Sequence, residues 1–391
     1  MKIQSNYKYK TIVSAIKQKI AENYGKGIVN IPTEAALCEQ FGVSRVSVRK
    51  ALKVLEEEGL IERKQGSGTR VSSKLTAGDI KEIADQAKNK KLIRIGIIVP
   101  ELASEYMLNL LSSIQSWTAD NGYNNVVFEY GISRHNEETE SRIIENMLES
   151  GIDGLLIYPI DGQYYSKNLL ELSLNNFPVV IIDRILPGLN FTFVSGNNKK
   201  SFAQAVKTMC EYGHEKIAFF SATPKPTSVA KERLIGYEDG LKAQGIKIDA
   251  QLEIIADKIN KRPLTEDDLQ KSYAETLERL TALLASGKVS AVLCDCTTSS
   301  ILVMRLLRSD NPSLTEVKNN IAVLYCDMDY SVLNNASPAP SCIKNDYIGI
   351  GENSIKLLFE RLSDENAPRK TIKVPFIFIK GETLFSKNNQ V

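Results

Sequence analysis

From Leu92 onward the chain repeats one pattern, a short and nearly unbroken apolar run followed by a stretch of helical periodicity. The runs are 93-IRIGIIVP-100, 125-NVVFEYG-131, 154-GLLIYP-159, 178-PVVIID-183, 216-KIAFFSA-222, 290-SAVLCD-295 and 321-IAVLYCD-327. Strands this apolar are buried on both faces, as in parallel sheets covered by helices. Segments such as 106–120, 136–150, 199–212 and 229–244 supply those helices. The pattern predicts a doubly wound α/β body of parallel sheets. The stretch is longer than one such domain normally runs, so two lobes with a cleft between them are expected.

The first 73 residues read differently. Ile12, Ile16 and Ile20 recur at helical spacing over 9–23, and Gly25, Gly27 and Pro32 then break the periodicity. Thr33 is placed to cap a short helix over 34–41, and Gly42 to end it. Ser44 caps a third helix over 45–58, stopped by Gly59. The run 60-LIERKQGSGTRVSS-73 folds as two short strands around GSG. Three helices and a hairpin make a winged helix-turn-helix. In the third helix Val48, Leu52 and Leu55 face a core, while Arg45, Arg49 and Lys50 put three positive charges near its start. Charge supports the division. Residues 1–73 carry a net +6 and the remainder a net −4, although the whole chain is only +2. A small basic module on a mildly acidic body points to a nucleic-acid contact. Residues 74–91 are polar and read as a linker, so the expected organisation is 1–73, 74–91 and 92–391.

Other classes are poorly supported. No apolar run reaches about 18 residues, the length of a membrane span. The opening MKIQSNYKYK has no apolar signal core, so a cytoplasmic location is expected. Six scattered cysteines and two histidines offer no metal-ligand spacing, and neither a metal nor a cofactor is expected. Phosphate-binding, nucleophile-elbow, HExxH and dinucleotide motifs are absent, so no catalytic residue is assigned.

The segment IPTEAALCEQFGVSRVSVRKALKVLEEEGLIERKQGSGTRV resembles the DNA-binding domain of GntR-family transcription regulators over about residues 5–72. The shared elements are P-T-E before the second helix, the G-V-S-R turn, R-K-A-L and the G-x-G-T wing. The resemblance implies that Arg45 and Arg49 contact bases or phosphates, with Ser44 and Ser47 beside them. It also implies DNA contacts from Lys8, Glu34 and the wing residues Gln65, Gly66 and Gly68. Some relatives have arginine after the glutamate, where this chain has Ala35, and Val46 stands where many are polar.

The body, over about 92–385, resembles LacI-family sensors and the type I periplasmic sugar-binding fold through IGIIVP, ESGIDGLLIYP, PVVIIDR, EYGHEKIAFFSA, KERLIGYEDGLKAQGI and IKNDYIGIGENSIKLL. The combination is that of AraR-like arabinose repressors. It implies a homodimer released from its operator when a small sugar or sugar phosphate enters the cleft. An activator or corepressor-type regulator of the same fold is the alternative, and a sugar-modifying enzyme a third reading. Ligands of such folds sit at the carboxyl ends of the strands. The implied effector residues are Ser104, Glu105, Tyr106, Arg184, Asn197, Arg233, Asp295, Asp327 and Asn345. Here 194-VSGNN-198 lacks the family's acid, and Asp295-Cys296-Thr297 replaces its usual pair.

Overall fold

The computed structural model describes residues 30–41, 43–64, 68–76, 78–80, 92–160, 166–184, 186, 188–224, 227–259 and 265–387, with 9, 12, 13, 15–17, 19 and 20 of the first helix. Those eight positions are helical. Helices Glu34–Phe41 and Arg45–Glu57 follow. Ser44 caps the latter by accepting from the Ser47 backbone N–H, and Gly59, at φ +73°, turns the chain out of it. The four isoleucines and leucines of the first two helices join Val48, Ala51, Leu52, Leu55, Leu60 and Ile61 in one core. Strands β2 (Ile61–Lys64) and β3 (Gly68–Val71) form the expected antiparallel hairpin. A third strand, β1 (Asn30–Ile31), pairs with β3, which the sequence did not signal because two residues show no periodicity. Leu75 and Ile80 also join this core, so the segment read as a linker begins as part of the module. Thr76 and Asp79 hold that turn by reciprocal bonds, Thr76 N–H to Asp79 Oδ2 at 2.8 Å and Asp79 N–H to Thr76 Oγ1 at 3.2 Å.

The body contains two six-stranded sheets. The first has β4 (Ile93–Val99), β5 (Val126–Ile132), β6 (Gly154–Ile157), β7 (Val179–Ile182), β8 (Thr192–Gly196) and β14 (Thr371–Val374), ordered 14-8-7-6-4-5 and parallel throughout. The second has β9 (Ile217–Ser221), β10 (Glu253–Ile255), β11 (Ala291–Cys294), β12 (Ala322–Cys326), β13 (Ser341–Asn345) and β15 (Phe376–Ile379), ordered 10-9-11-12-13-15. Only the β13–β15 pair among these is antiparallel. Side chains of β6, β7, β9, β11 and β12 are buried along their whole length, which is why they read as continuous apolar runs. Strands β8 (TFVSG) and β13 (SCIKN) are equally buried but carry polar residues, so no such run announced them.

The chain passes between the sheets after β8, after β13 and between β14 and β15. Helix Asn198–Glu211 follows the first passage and packs on the second lobe through Phe202, Val206 and Met209. Helix Tyr347–Ser363 follows the second and packs back on the first lobe through Ile350, Ile355 and Leu358. These passages bring the carboxyl ends of both sheets to face one another.

Candidate nucleic-acid interface and ligand cleft

In the helix-turn-helix, Arg45 and Arg49 are exposed on one side of the helix whose opposite side is core. Arg49 Nε donates to Glu34 Oε2 at 2.9 Å, so the two implied DNA contacts are tied to each other. That bond uses only Nε of an Arg49 side chain that is 65% exposed, leaving the fork of its outer nitrogens available. Val46 is 68% exposed between the arginines, an apolar side chain without a role in the core. Ser47 is buried and its Oγ lies 3.2 Å from that of Ser44, so the hydroxyl expected at DNA faces its own module. Ser44 itself is exposed and acts as the cap. Lys50 Nζ lies over the Tyr9 ring at 4.4 Å. Gly68 begins the wing's return strand at φ +79°, a conformation that strains any side chain. Lys8, Gln65 and Gly66 lie outside the described residues.

In the body, Arg233 anchors the cleft. It is 5% exposed on helix Ser228–Ala243. Its Nε donates to Asn198 Oδ1 at 2.9 Å, one outer nitrogen to the Asp295 carbonyl, and the other to Asp327 Oδ2 at 2.9 Å. The second oxygen of Asp327 accepts from the Asn345 backbone N–H at 2.9 Å and from Tyr347 Oη at 2.7 Å. Burial works against the Asp327 carboxylate, but Arg233 and these donors outweigh it and hold its pKa below the usual range.

Across the cleft the first lobe contributes Tyr106, Tyr158, Asp183 and Arg184. The Tyr106 ring packs on Tyr347 at 4.2 Å and edge-on to Tyr158 at 5.8 Å, and the Arg184 guanidinium covers Tyr158 at 4.9 Å. Arg184 also donates to the Pro159 carbonyl at 2.7 Å. Burial raises the Asp183 carboxyl despite the Tyr158 hydroxyl and both arginines. Burial likewise raises the phenols of Tyr106, Tyr158 and Tyr347, keeping them as neutral O–H groups. Asp183 and Asp327, each following a strand end, sit at φ +66° and +53°. Left-handed backbone of this kind persists where surrounding bonds over-determine it, and it gathers at functional sites. Tyr106 Oη and Asn345 Oδ1 are buried with no hydrogen-bond partner. An orphaned buried polar atom costs about 1–3 kcal/mol, which a ligand hydroxyl would offset.

Four expected residues have other duties. Glu105 closes the cleft rim: Oε1 accepts from Lys344 Nζ at 2.9 Å and Oε2 from the Tyr330 backbone N–H at 2.6 Å, both on the second lobe. Lys344 is 2% exposed and also donates to the Met328 carbonyl. Ser104 caps helix Glu105–Asp120. The Asp295 carboxylate accepts from Ser221 and Ser299 hydroxyls at 2.6 Å each, so only its carbonyl meets Arg233. Asn197 makes its visible contact through its backbone, to the Val374 carbonyl at 2.7 Å. Its neighbour Asn198, 1% exposed, holds Arg233 instead. Sequence reasoning also missed Tyr158, Asp183 and Tyr347, each next to a strand end. The direct signal was Tyr158 and Asp183 at the ends of 154-GLLIYP-159 and 178-PVVIID-183, and Tyr347 two residues past 341-SCIKN-345. Asn345 lies against Gly196, where an added Cβ would come within 2.0 Å of Asn345 Oδ1.

Glu140 adds a titratable group behind this cluster. It is 1% exposed in the first turn of helix Glu137–Ser150 and accepts the Ile160 N–H at 2.9 Å, two residues beyond Tyr158. Burial pushes its pKa up to about 7, against the pull of that N–H and Arg184, with Glu137 adding to the rise. The folded chain therefore keeps a proton that the unfolded chain has lost. Stability is full below the unfolded value of 4.5 and falls as pH rises toward 7, by about 3 kcal/mol at this shift. Glu140→Gln should flatten this dependence. Denaturant unfolding of both proteins at pH 5 and pH 8 checks it, and an equal pH dependence in the two would contradict the assignment.

Among the described residues, no group of three or more His, Cys, Asp or Glu side chains is arranged to hold a metal ion, and no helix is long and apolar enough to cross a membrane. Residues 8–71 match the bacterial regulatory proteins of the gntR family, and residues 95–313 match the periplasmic binding protein domain family, more than half of the chain. An arabinose metabolism transcriptional repressor of Halalkalibacterium halodurans is 26% identical over 71% of this chain and 72% of its own length. The corresponding repressor of Geobacillus stearothermophilus is 23% identical over 98% of this chain and 99% of its own. Among solved structures, a transcriptional regulator CelR–cellobiose complex superposes with a TM-score of 0.58 at 20% identity, covering 90% of this chain and all of the other. The Escherichia coli transcriptional repressor ascG gives 0.56 at 21% identity, over 75% and 99%.

Proposed function

The chain belongs to the periplasmic binding protein domain family and carries a gntR-family regulatory module ahead of that domain, and from this premise we propose a cytoplasmic, homodimeric repressor that leaves its operator when a neutral sugar binds between the two lobes. The module extends to Ile80, and the sensor begins at β4. Two copies present two recognition helices to a roughly palindromic site, the symmetry that a dimeric helix-turn-helix requires. The similarity to arabinose repressors makes a pentose the first candidate.

One observation carries the choice of a neutral ligand, namely that the cleft's charges already answer one another. Arg233 is paired with Asp327, and Arg184 lies beside Asp183. A sugar phosphate would face two buried carboxylates, whereas a neutral sugar meets phenol, amide and carboxylate groups suited to hydroxyls, with the Tyr106 ring as an apolar face. Calorimetric titration of the full chain with arabinose, ribose and cellobiose, and with the pentose phosphates, tests this. One neutral sugar should bind at micromolar strength, with its phosphate at least tenfold weaker. A phosphorylated sugar that binds more tightly than every neutral one would defeat the proposal.

A further inference from the structure

Arg361 and Arg369 lie at the far end of helix Tyr347–Ser363 from the cleft. Tyr347 begins that helix at Asp327, and Arg361 follows 14 residues later, roughly 21 Å along the axis. Both guanidiniums converge on a single acceptor. Arg361 donates to Asn176 Oδ1 at 3.2 Å, and Arg369 donates to the same oxygen at very short range. Asn176 is fixed there by a left-handed backbone, φ +56°, and by its own bond to the Glu365 carbonyl.

Arg361 has a structural task as well, donating to the carbonyls of Glu365 and Ala367 beyond the helix end. One arginine is enough for that task, and Arg369 takes no part in it. Among the described residues neither guanidinium has a carboxylate within ion-pair distance; Asp364 and Glu365 act on Arg361 only from further away. Arg361 is 3% exposed and its Nε has no partner, nor does the buried NH1 of Arg369. Burial lowers the pKa of both, and the charge of Arg361 lowers that of Arg369 further. Two cations held side by side, each with an unused N–H, are a costly arrangement unless an anion joins them.

We propose that Arg361 and Arg369 form a second binding site, for a phosphate group, at the pole of the first lobe opposite the sugar cleft. A guanidinium offers N–H groups in a fixed fork that matches a phosphate's oxygens, and a second guanidinium beside it adds charge to the same anion. The helix that carries Arg361 also supplies Tyr347 to the cleft, so an anion at one end and a sugar at the other act on the same rigid element.

The test is thermal unfolding and calorimetry of the full chain with inorganic phosphate, compared with acetate and chloride at equal ionic strength. Phosphate should raise the melting temperature beyond either control and bind at millimolar strength or better. Arg369→Gln should weaken that binding at least tenfold, and Arg369→Lys should keep part of it, which also shows that the site survives substitution. A phosphate response undiminished in Arg369→Gln would belong to the basic N-terminal module and would overturn the proposal. Equal responses to acetate and phosphate, or none to either, would overturn it as well.

Discussion

Replacing Arg45 and Arg49 together with alanine is expected to weaken operator binding by about a thousandfold and to leave sugar affinity unchanged. Each arginine that reads a guanine through two hydrogen bonds supplies about 1–3 kcal/mol of discrimination, and two such losses reach that factor. Both side chains are exposed, while the core of the same helix rests on Val48, Ala51, Leu52 and Leu55, so the module stays folded. Arg49 contributes through a fork held by Glu34, and Glu34→Ala alone should give a smaller loss by releasing that orientation. The double variant should also reduce the slope of log affinity against log salt by about two, since two cations leave the phosphate field. Fluorescence anisotropy on an operator duplex reads both quantities. An operator affinity within threefold of the parent would remove this helix from the interface.

The architecture was legible because burial on both faces leaves an unmistakable apolar run. The seven strands named from sequence all form, displaced by no more than a residue or two at their ends, as do the four helices named between them. Elements that are short, half-exposed or interrupted by polar residues were not legible. Strand β1 has two residues, and β15 (FIFI) lies at a half-exposed edge. Strands β8 (TFVSG) and β13 (SCIKN) are fully buried but too polar to stand out as apolar runs. Within the cleft, position was readable and orientation was not. Arg233, Asp327 and Asn345 meet one another, Asp327 and Asn345 from strand ends and Arg233 from the helix Ser228–Ala243. Asn197 and Asn198 occupy equivalent places in a linear reading, yet the helix that begins at Asn198 turns its side chain, and not its neighbour's, toward Arg233. Glu105 looks like a ligand residue until the opposite lobe is in place and Lys344 arrives from 239 positions away. Nothing local in a sequence reports such a contact.

The Arg233–Asp327 pair should separate stability from recognition more sharply than any other site in the body. Arg233→Met leaves Asp327 buried beside Tyr347 and Asn345 with no cation, and breaking a buried pair from one side costs about 3–5 kcal/mol. Asp327→Asn strands the guanidinium in the same way, although the Asn198 amide and the Asp295 carbonyl still hold it. Joining the two changes removes both uncompensated charges, so the double variant should regain much of the stability lost by either single one. Sugar binding should not return with it, because a methionine offers no donor and an asparagine no anionic acceptor to ligand hydroxyls. Hydrogen bonds to charged groups contribute about 1.5–3 kcal/mol each, so losing one from each partner predicts affinity at least a hundredfold weaker. Chemical denaturation of the four members of the cycle, with calorimetric titration of each, measures the two effects separately. Recovery of stability without recovery of binding is the expected outcome. Recovery of both would mean that the pair only builds the lobe and that the sugar is held elsewhere. In that case Tyr106, Tyr158 and Arg184 of the opposite lobe would have to hold the ligand without it.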